Sequence, residues 1–412
     1  MSNQIGQEKS ALEGLKVLDF TWVVAGPFLT TVLGDHGATV VKLESNLRFD
    51  YARAIAPFKD GKPDLDGSGY FSHQNTSKLG LSVNLTVPKG MEIISKLIKW
   101  ADILIENMSP EKMDKLGLGY DDAKKLNPGI IYMSISLQGR EGPYAHFAGL
   151  GQMANAAAGF WELCGWPDRG PSPPHGPYSD YVSPCFGLAA VLAAVDYKRR
   201  TGIGQYLDTS MLETTLQLFE VPVIDYVVNG RIWGRAGNRS PQAVPHGVFR
   251  CKGDDRWCAV TVQTEAQWRA FCEVLDDQAL AEDQRFATFI GRKRYEDELE
   301  DTINQHTIMF SAEELAGKLQ EKGIPSQSVQ KTSDLFEDQQ LVSRGFLNHL
   351  NHRVIGSIVH CMPPFRLPET PARQFPFPCL GEHSQQILRD FLGYGEDEIN
   401  ELIVSEVIAC GQ

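Results

Sequence analysis

Between residues 15 and 135 the chain alternates short apolar runs with stretches of helical character. That alternation restricts the fold more than any other feature. Residues 15–20 (LKVLDF), 39–43 (TVVKL), 80–85, 102–106 (DILIE) and 130–135 (IIYMSI) read as strands. They are apolar almost throughout instead of alternating with polar residues, which is the pattern of strands covered on both faces. Gly26 and Pro27 open a short apolar helix that runs through Leu33 and stops at Gly34. Pro88 opens another, to Trp100, with Met91, Ile94, Leu97 and Ile98 on one face. Strand, helix, strand at this spacing predicts an α/β fold built on a parallel sheet.

A chain of 412 residues is too long for one ordinary core. Residues 1–228 form the first part of a large α/β domain. A Gly/Pro/Asn/Arg-rich linker at 229–246 leads to paired strands at 247–251 and 257–262 and helices at 265–275 and 312–322. The last of these opens with Ser311 and Glu314 at capping-box spacing. This predicts a small α+β domain over 229–330. Residues 331–412 return to the large domain and end in helices at 384–392 and 396–407. Residues 45–75 read as a long polar loop, of the kind that is functional or mobile.

Forty-two per cent hydrophobic and 22% charged residues are the proportions of a soluble globular chain. A net charge of −13 with no Lys/Arg-rich run argues against nucleic acid. No charge-free apolar stretch reaches the roughly 18 residues needed to span a bilayer, so no membrane partner is expected. The opening MSNQIGQEKSALEG lacks the apolar core of a signal peptide. Eight scattered cysteines with no CxxC pair suit reduced thiols in the cytoplasm, not disulfides or zinc. A polyanionic ligand would need a local basic pocket or helix amino ends.

The stretch 170–194, GPSPPHGPYSDYVSPCFGLAAVLAA, delivers Asp180 to the start of a long small-residue helix ending at Lys198, Arg199 and Arg200. Pro184 suits a helix start, and on bare physics Asp180 reads first as an N-cap. The prolines before it, with His175, Tyr178 and the aromatics Phe160, Trp161 and Trp166, also suit a walled pocket. There a carboxylate serves as a nucleophile on an activated acyl group. Lys78, Arg53, Asn107, Lys115 and Arg140 each follow or flank an expected strand end, where open parallel sheets bind ligands. Singly each reads as a solvated charge; together they could hold phosphates. GLGQMA at 149–154 matches a dinucleotide pattern, but loop-like residues precede it where a strand is required, which favours helix packing over nicotinamide or flavin.

Five ordered blocks resemble the class III coenzyme A transferases, of the formyl-CoA and carnitine CoA-transferase type. They are residues 12–44, 102–136, 139–149 (GREGPYAHFAG), the segment around Asp180, and 380–402. The resemblance implies a Rossmann-like large domain, a small domain and an interlocked, ring-like dimer. The partner would be a second copy or a related subunit. It also implies acyl-CoA and carboxylate substrates, with coenzyme A as substrate and no permanently bound cofactor or metal. Asp180 falls on the catalytic aspartate, which forms an anhydride and then an aspartyl-CoA thioester. By position, Lys78, Asn107, Met108, Lys115 and Gly139 match residues of the family's CoA groove, and Arg140 and Arg53 join them as charges near strand ends. Within the family the chain is most similar to subunits that pass CoA from succinyl-CoA to benzylsuccinate.

Three departures stand out. Val24 replaces a glutamine of formyl-CoA transferases, Ser45 and Ser109 replace arginines of many relatives, and 237–249 lacks a glycine-rich flap. The resemblance also extends to α-methylacyl-CoA racemases, but Leu150 stands where their proton-shuttling histidine would be and cannot exchange a proton. A non-catalytic subunit of a heteromeric transferase is the remaining alternative.

Overall fold

The computed structural model describes residues 10–174 and 176–411. His175 and the first nine residues lie outside them. In chain order the first half runs β1 (Lys16–Phe20), α1 (Ala25–Asp35), β2 (Thr39–Glu44), α2 (Gly69–His73), β3 (Lys78–Val83), α3 (Pro88–Trp100), β4 (Ile103–Glu106), α4 (Lys112–Lys115), α5 (Tyr120–Leu126), β5 (Ile131–Ser136), α6 (Gly151–Ala157), α7 (Phe160–Leu163), α8 (Tyr178–Thr201), β6 (Tyr206–Ser210), α9 (Met211–Leu216) and α10 (Glu220–Asn229). The second half adds β7 (His246–Arg250), β8 (Trp257–Thr261), α11 (Glu265–Leu275), α12 (Gln278–Glu282), α13 (Phe289–Arg294), α14 (Glu296–Thr307), α15 (Ala312–Glu321), β9 (Ser326–Ser328), α16 (Gln339–Ser343), β10 (Leu347–His352), β11 (Gly356–Cys361), α17 (Ser384–Leu392), α18 (Glu396–Val404) and β12 (Ile408–Ala409).

The chain divides into two compact units. One comprises 1–161, 173–232 and 343–412; the other comprises 162–172 and 233–342. The expected small domain, 229–330, thus begins and ends elsewhere and takes in a detached piece before Asp180.

The larger unit holds a seven-stranded sheet in the order β12-β3-β2-β1-β4-β5-β6, parallel except for β12. Successive residues of a strand face opposite sides, so a doubly covered strand must be apolar at every position. In β1, Leu18 joins a core with Val41, Leu104 and Ile94 of α3, while Val17 joins another with Val40, Ile103, Met133 and Val191 of α8. Burying each such side chain contributes roughly 1.5–3 kcal/mol. The order reverses between β1 and β4: β1 leads outward to β2, and β4 leads outward on the other side to β5. Such switch points leave a crevice at the carboxyl ends of the strands.

Among the described residues α8 is the one helix long and apolar enough to cross a membrane. It packs on β5 and β6 and beside α1, α6 and α9. Gly187 permits that approach: a Cβ there would press into Met133 and Leu29.

Four sequence expectations change. The helix begins at Tyr178, before Pro184, which lies inside it. Residues 211–228 are not one helix; a 3₁₀ turn at Gln217–Phe219 separates α9 from α10. Residues 45–75 are not a loose polar loop, because Asp50, Arg53 and Ser68 are fully buried and satisfied by ion pairs and hydrogen bonds. The Pro-rich tail contains the hairpin β10–β11.

In the smaller unit, β7, β8 and β9 form an antiparallel sheet. It shares a core with α11, α14 and α15, around Phe271, Leu299 and Leu315. Thr264 and Gln267 make a capping box at the start of α11. Ser311 accepts from the Glu314 N–H at the start of α15.

Candidate active site

A cavity of about 770 Å³ opens at the carboxyl ends of β3, β2, β1, β4 and β5. Its walls come from residues at or just after each strand end: Asn84 to Thr86, Ser45 with Leu47 and Arg48, Trp22 and Val23, Asn107 to Pro110, and Ser136 and Leu137. Asp180, Gly151 and Met211 also line it.

The loop after β1 crosses the switch point and is held at three successive residues. Lys42 Nζ donates to the Thr21 carbonyl at 2.7 Å. The Asn107 amide takes both backbone groups of Trp22, accepting from its N–H at 2.7 Å and donating to its carbonyl at 2.8 Å. Asp50 Oδ1 accepts from the Val23 N–H at 2.9 Å. Val23 has φ +70°, a left-handed conformation that is rare for a β-branched side chain and costs of order 1–3 kcal/mol. It persists because its neighbours leave the loop no alternative.

Beneath this loop lies a buried charge network. Asp19 Oδ2 meets Lys78 Nζ at 3.1 Å, and Lys42 meets Asp50 at 2.8 Å. Burial works against the Asp19 charge, but Lys78, Lys42 and hydrogen bonds from Thr21 and Thr30 outweigh it and hold the carboxyl below its ordinary value. Burial lowers the Lys78 ammonium to about 8 against the opposing pull of Asp19. Arg53 lies wholly inside. It pairs with Glu44 through two 2.8 Å hydrogen bonds and reaches Asp66 and the Pro378 carbonyl. Buried charges are tolerated only when paired and hydrogen-bonded, which is met here.

Asp180 differs from these in having no counter-ion. It is the third residue of α8, not its N-cap; Pro177 holds that position and makes no side-chain cap. Pro184 has no N–H, so the Asp180 carbonyl lacks its usual partner one turn on. The side chain lies against the start of α6, where Ser179 Oγ donates to the Gly151 carbonyl at 2.7 Å. A Cβ at Gly151 would fall inside Asp180 Oδ2, so only glycine admits the carboxylate here. Asp180 Oδ2 is buried with no hydrogen-bond partner among the described residues. Burial raises its carboxyl to about 7, and only its own N–H offsets this. In GLGQMA, the first glycine packs on Leu137 and the second makes room for Asp180.

The residues singled out in the sequence do not converge. Asp180, Asn107 and Met108 line the cavity. Lys78 and Arg53 are committed to the network below and are not on its wall. Lys115 projects into solvent, paired with Glu111 at 2.8 Å, and does not line it. Gly139 turns the chain at φ +87°, and the next N–H, of Arg140, donates to Asp208 at 2.7 Å. The Arg140 guanidinium is engaged by Glu106 at 2.7 Å and the Met108 carbonyl at 3.0 Å, and Glu106 accepts from the Met108 N–H at 2.8 Å. Phe160 packs on Tyr178 and Phe219, not on the cavity. Trp166 belongs to the smaller unit, beneath Gly237.

Sequence reasoning missed Gly151, the pinned Trp22–Val23 loop, and Asp19, Lys42 and Asp50. A signal existed: charged residues inside doubly buried strands must have partners.

The model for CoA-transferase family III matches residues 12–384. The chain belongs to that family. It is 31% identical to a mouse succinyl-CoA:glutarate CoA-transferase over 403 residues, covering 96% of this chain and 90% of the relative. It is 30% identical to the alpha subunit of a succinyl-CoA--L-malate CoA-transferase of Chloroflexus aurantiacus, covering 98% and 94%. It is 31% identical to a formyl-CoA:oxalate CoA-transferase of Streptomyces coelicolor, covering 97% and 99%. A crystal structure of a CAIB/BAIF family protein from Brucella suis superposes with TM-score 0.85 at 27% identity, covering 93% of this chain and all of that one. The chain is therefore a family III CoA-transferase with acyl-CoA and carboxylate substrates.

Proposed function

We propose that this enzyme moves CoA from succinyl-CoA to a short dicarboxylic acid, with Asp180 as nucleophile. The observation that carries the reading is the Asp180 carboxylate at the cavity wall, with one oxygen buried and unpartnered and no cation beside it among the described residues. An ion kept poorly solvated is a stronger nucleophile than one in water, provided it is ionised when the thioester arrives.

In the proposed cycle Asp180 attacks the thioester carbonyl and CoA leaves as thiolate, giving a mixed anhydride. The thiolate attacks the aspartyl carbonyl, releasing the first acid and leaving an aspartyl-CoA thioester. The acceptor carboxylate attacks that thioester, freeing the thiolate again. The thiolate then attacks the acyl side of the new anhydride, and Asp180 is regenerated. No outside acid or base is consumed, in keeping with an Asp180 that has no histidine or carboxylate hydrogen-bonded to it among the described residues.

Succinyl-CoA as donor rests on the names of the glutarate, L-malate and D-citramalate relatives. Benzylsuccinate, a substituted succinate, falls within the same acceptor class. The racemase alternative would need a proton carrier where Leu150 puts an exposed aliphatic side chain on the cavity wall.

We place the enzyme in the cytoplasm, with all eight cysteines as free thiols, and assign it a second subunit. Support for the subunit comes from α10, where Val221, Val223, Ile224, Tyr226, Val227 and Val228 are all exposed in the single chain. An apolar surface of this kind marks an interface. The interlocked dimer is one arrangement that would cover it. A related partner is the second reading, favoured by relatives named as alpha and beta subunits of one transferase.

The purified chain should exchange CoA between succinyl-CoA and glutarate, L-malate or benzylsuccinate. Asp180→Ala should abolish exchange, and mass spectrometry of the wild type quenched with hydroxylamine or borohydride should place the adduct on Asp180. Full activity in Asp180→Ala would sink the mechanism. Activity only after adding a related chain would assign this one the supporting role.

A further inference from the structure

Coenzyme A carries its negative charge at the nucleotide end, so a protein of net charge −13 must meet it with local cations. The basic residues suggested by sequence are already spent. Arg53 and Lys78 are buried in ion pairs, Arg140 is held by Glu106, and Lys115 is paired with Glu111 off the cavity wall. Two cations line the cavity, Arg48 and Lys112. Neither side chain has an ion pair or hydrogen bond among the described residues.

Their positions are built, not incidental. Arg48 closes a turn after β2 in which Ser45 and Arg48 exchange both backbone hydrogen bonds at 3.1 Å. Asp50, two residues on, is anchored to Lys42 and Val23. Lys112 opens α4 directly after the Asn107–Met108 pair that Trp22, Glu106 and Arg140 fix in place. Both cations therefore stand on backbone tied down by hydrogen bonds, Arg48 in the turn after β2 and Lys112 in the segment after β4.

Distance favours the same assignment. Asp180 reaches the cavity at its β5 side, through Gly151 and the neighbouring contact of Gly149 with Leu137. Arg48 follows β2, three strands away in the order β2-β1-β4-β5. At ~4.8 Å per strand that is roughly 14 Å. The pantetheine arm from sulfur to first phosphorus has about thirteen bonds; at three bonds and ~3.5 Å per extended residue it spans roughly 15 Å.

We propose that Arg48 and Lys112 together bind the phosphates of coenzyme A while the thioester lies at Asp180. This rests on the CoA-transferase reading and names cations for it that differ from those the family resemblance points to. The serines at 45 and 109 on the same wall leave these two cations as its positive charge.

The test is calorimetric titration of the full-length protein with CoA, 3′-dephospho-CoA and pantetheine, at low and moderate salt. Arg48→Ala and Lys112→Ala should each weaken CoA about tenfold, with a smaller loss at higher salt, because exposed charge pairs are screened. Pantetheine binding should not change in either. Lys115→Ala should leave CoA affinity as in the wild type. If Arg48→Ala binds dephospho-CoA as the wild type does, Arg48 holds the 3′-phosphate; if both ligands weaken, it holds the pyrophosphate. Unchanged CoA affinity in both variants, equal losses of CoA and pantetheine, or a loss confined to Lys115→Ala would overturn the assignment. A wild type that binds neither CoA nor pantetheine overturns the functional reading and this inference with it. A wild type that binds CoA and transfers it, with both variants unaffected, overturns this inference alone.

Discussion

Replacing Asp180 with Asn should shift the stability difference in favour of the variant as pH rises. The fold holds the carboxyl at about 7 against an ordinary 3.8, by burial without a counter-ion. Between those values the folded chain retains a proton that the unfolded chain has lost, so stability falls as pH rises through that window. Each pKa unit is worth about 1.36 kcal/mol, so the full penalty, reached above pH 7, is about 4 kcal/mol. Between pH 5 and pH 8 the part still to be lost is roughly 2.5 kcal/mol. Asn has nearly the same shape and does not titrate. Its buried amide adds a cost of about 1–3 kcal/mol that is the same at every pH. The absolute difference between the proteins is therefore uninformative, and the change of that difference with pH carries the information.

Urea unfolding of both proteins at pH 5, 6.5 and 8 measures it. The advantage of Asp180→Asn should widen by roughly 2.5 kcal/mol across the series. A constant gap would mean that Asp180 titrates normally. A gap narrowing as pH rises would mean that the folded state favours the carboxylate. Either would remove the desolvated nucleophile from the mechanism. The same reasoning makes wild-type transfer rise with pH and level off above about 7, and a rate profile flat from pH 5.5 to 8.5 would contradict it.

Gly151→Ala should lower kcat at least a hundredfold and cost about 1–3 kcal/mol of stability, since its Cβ would press on Asp180 Oδ2 and Ser179 Oγ; circular dichroism melts and steady-state rates check this. Asn107→Ala strands both backbone groups of Trp22 beside the strained Val23, so it should cost about 1–3 kcal/mol in urea unfolding and raise the KM for acyl-CoA more than it lowers kcat. Arg53→Ala should cost about 3–5 kcal/mol by leaving Glu44 charged and buried, and Arg53→Lys should not restore it, because an ammonium cannot make the paired contacts of a guanidinium.

The parallel sheet was legible because its signal is local. Five apolar runs separated by helical stretches leave few alternatives, and the strands lie within two residues of where those runs place them. The hairpin at Leu347–Cys361 was not legible. Its first strand, LNHLNH, has a leucine only at every third position, and its second, GSIVHC, has only Ile358 and Val359 as an apolar pair, so no apolar run marks them. The helix Glu296–Thr307 was hidden for a related reason: it buries only Glu296, Leu299, Ile303 and Thr307 among strongly polar neighbours. Asp180 could be located as a residue at a helix start, but the word "cap" described the wrong physics. A capping carboxylate has an oxygen satisfied by the helix N–H groups, whereas here Oδ2 has no partner among the described residues and sits in space left by a glycine twenty-nine positions earlier.

The charged residues show where local reading stops. The sequence reading singled out Lys78, Arg53, Lys115 and Arg140 near strand ends and passed over Arg48 and Lys112, which sit near strand ends as well. What separates them is whether an acid is already present: for Lys115 it is Glu111 one helical turn away, and for the others it comes from farther along the chain. Asp19 meets Lys78 across 59 residues, and Glu106 meets Arg140 across 34. A cation held by a buried carboxylate shapes the crevice, and one left unpaired on its wall is available to a ligand. The division of labour at this site was therefore set by long-range pairing. The same pairing leaves Asp180 outside every ion pair among the described residues, which is the ground on which it is proposed as the nucleophile.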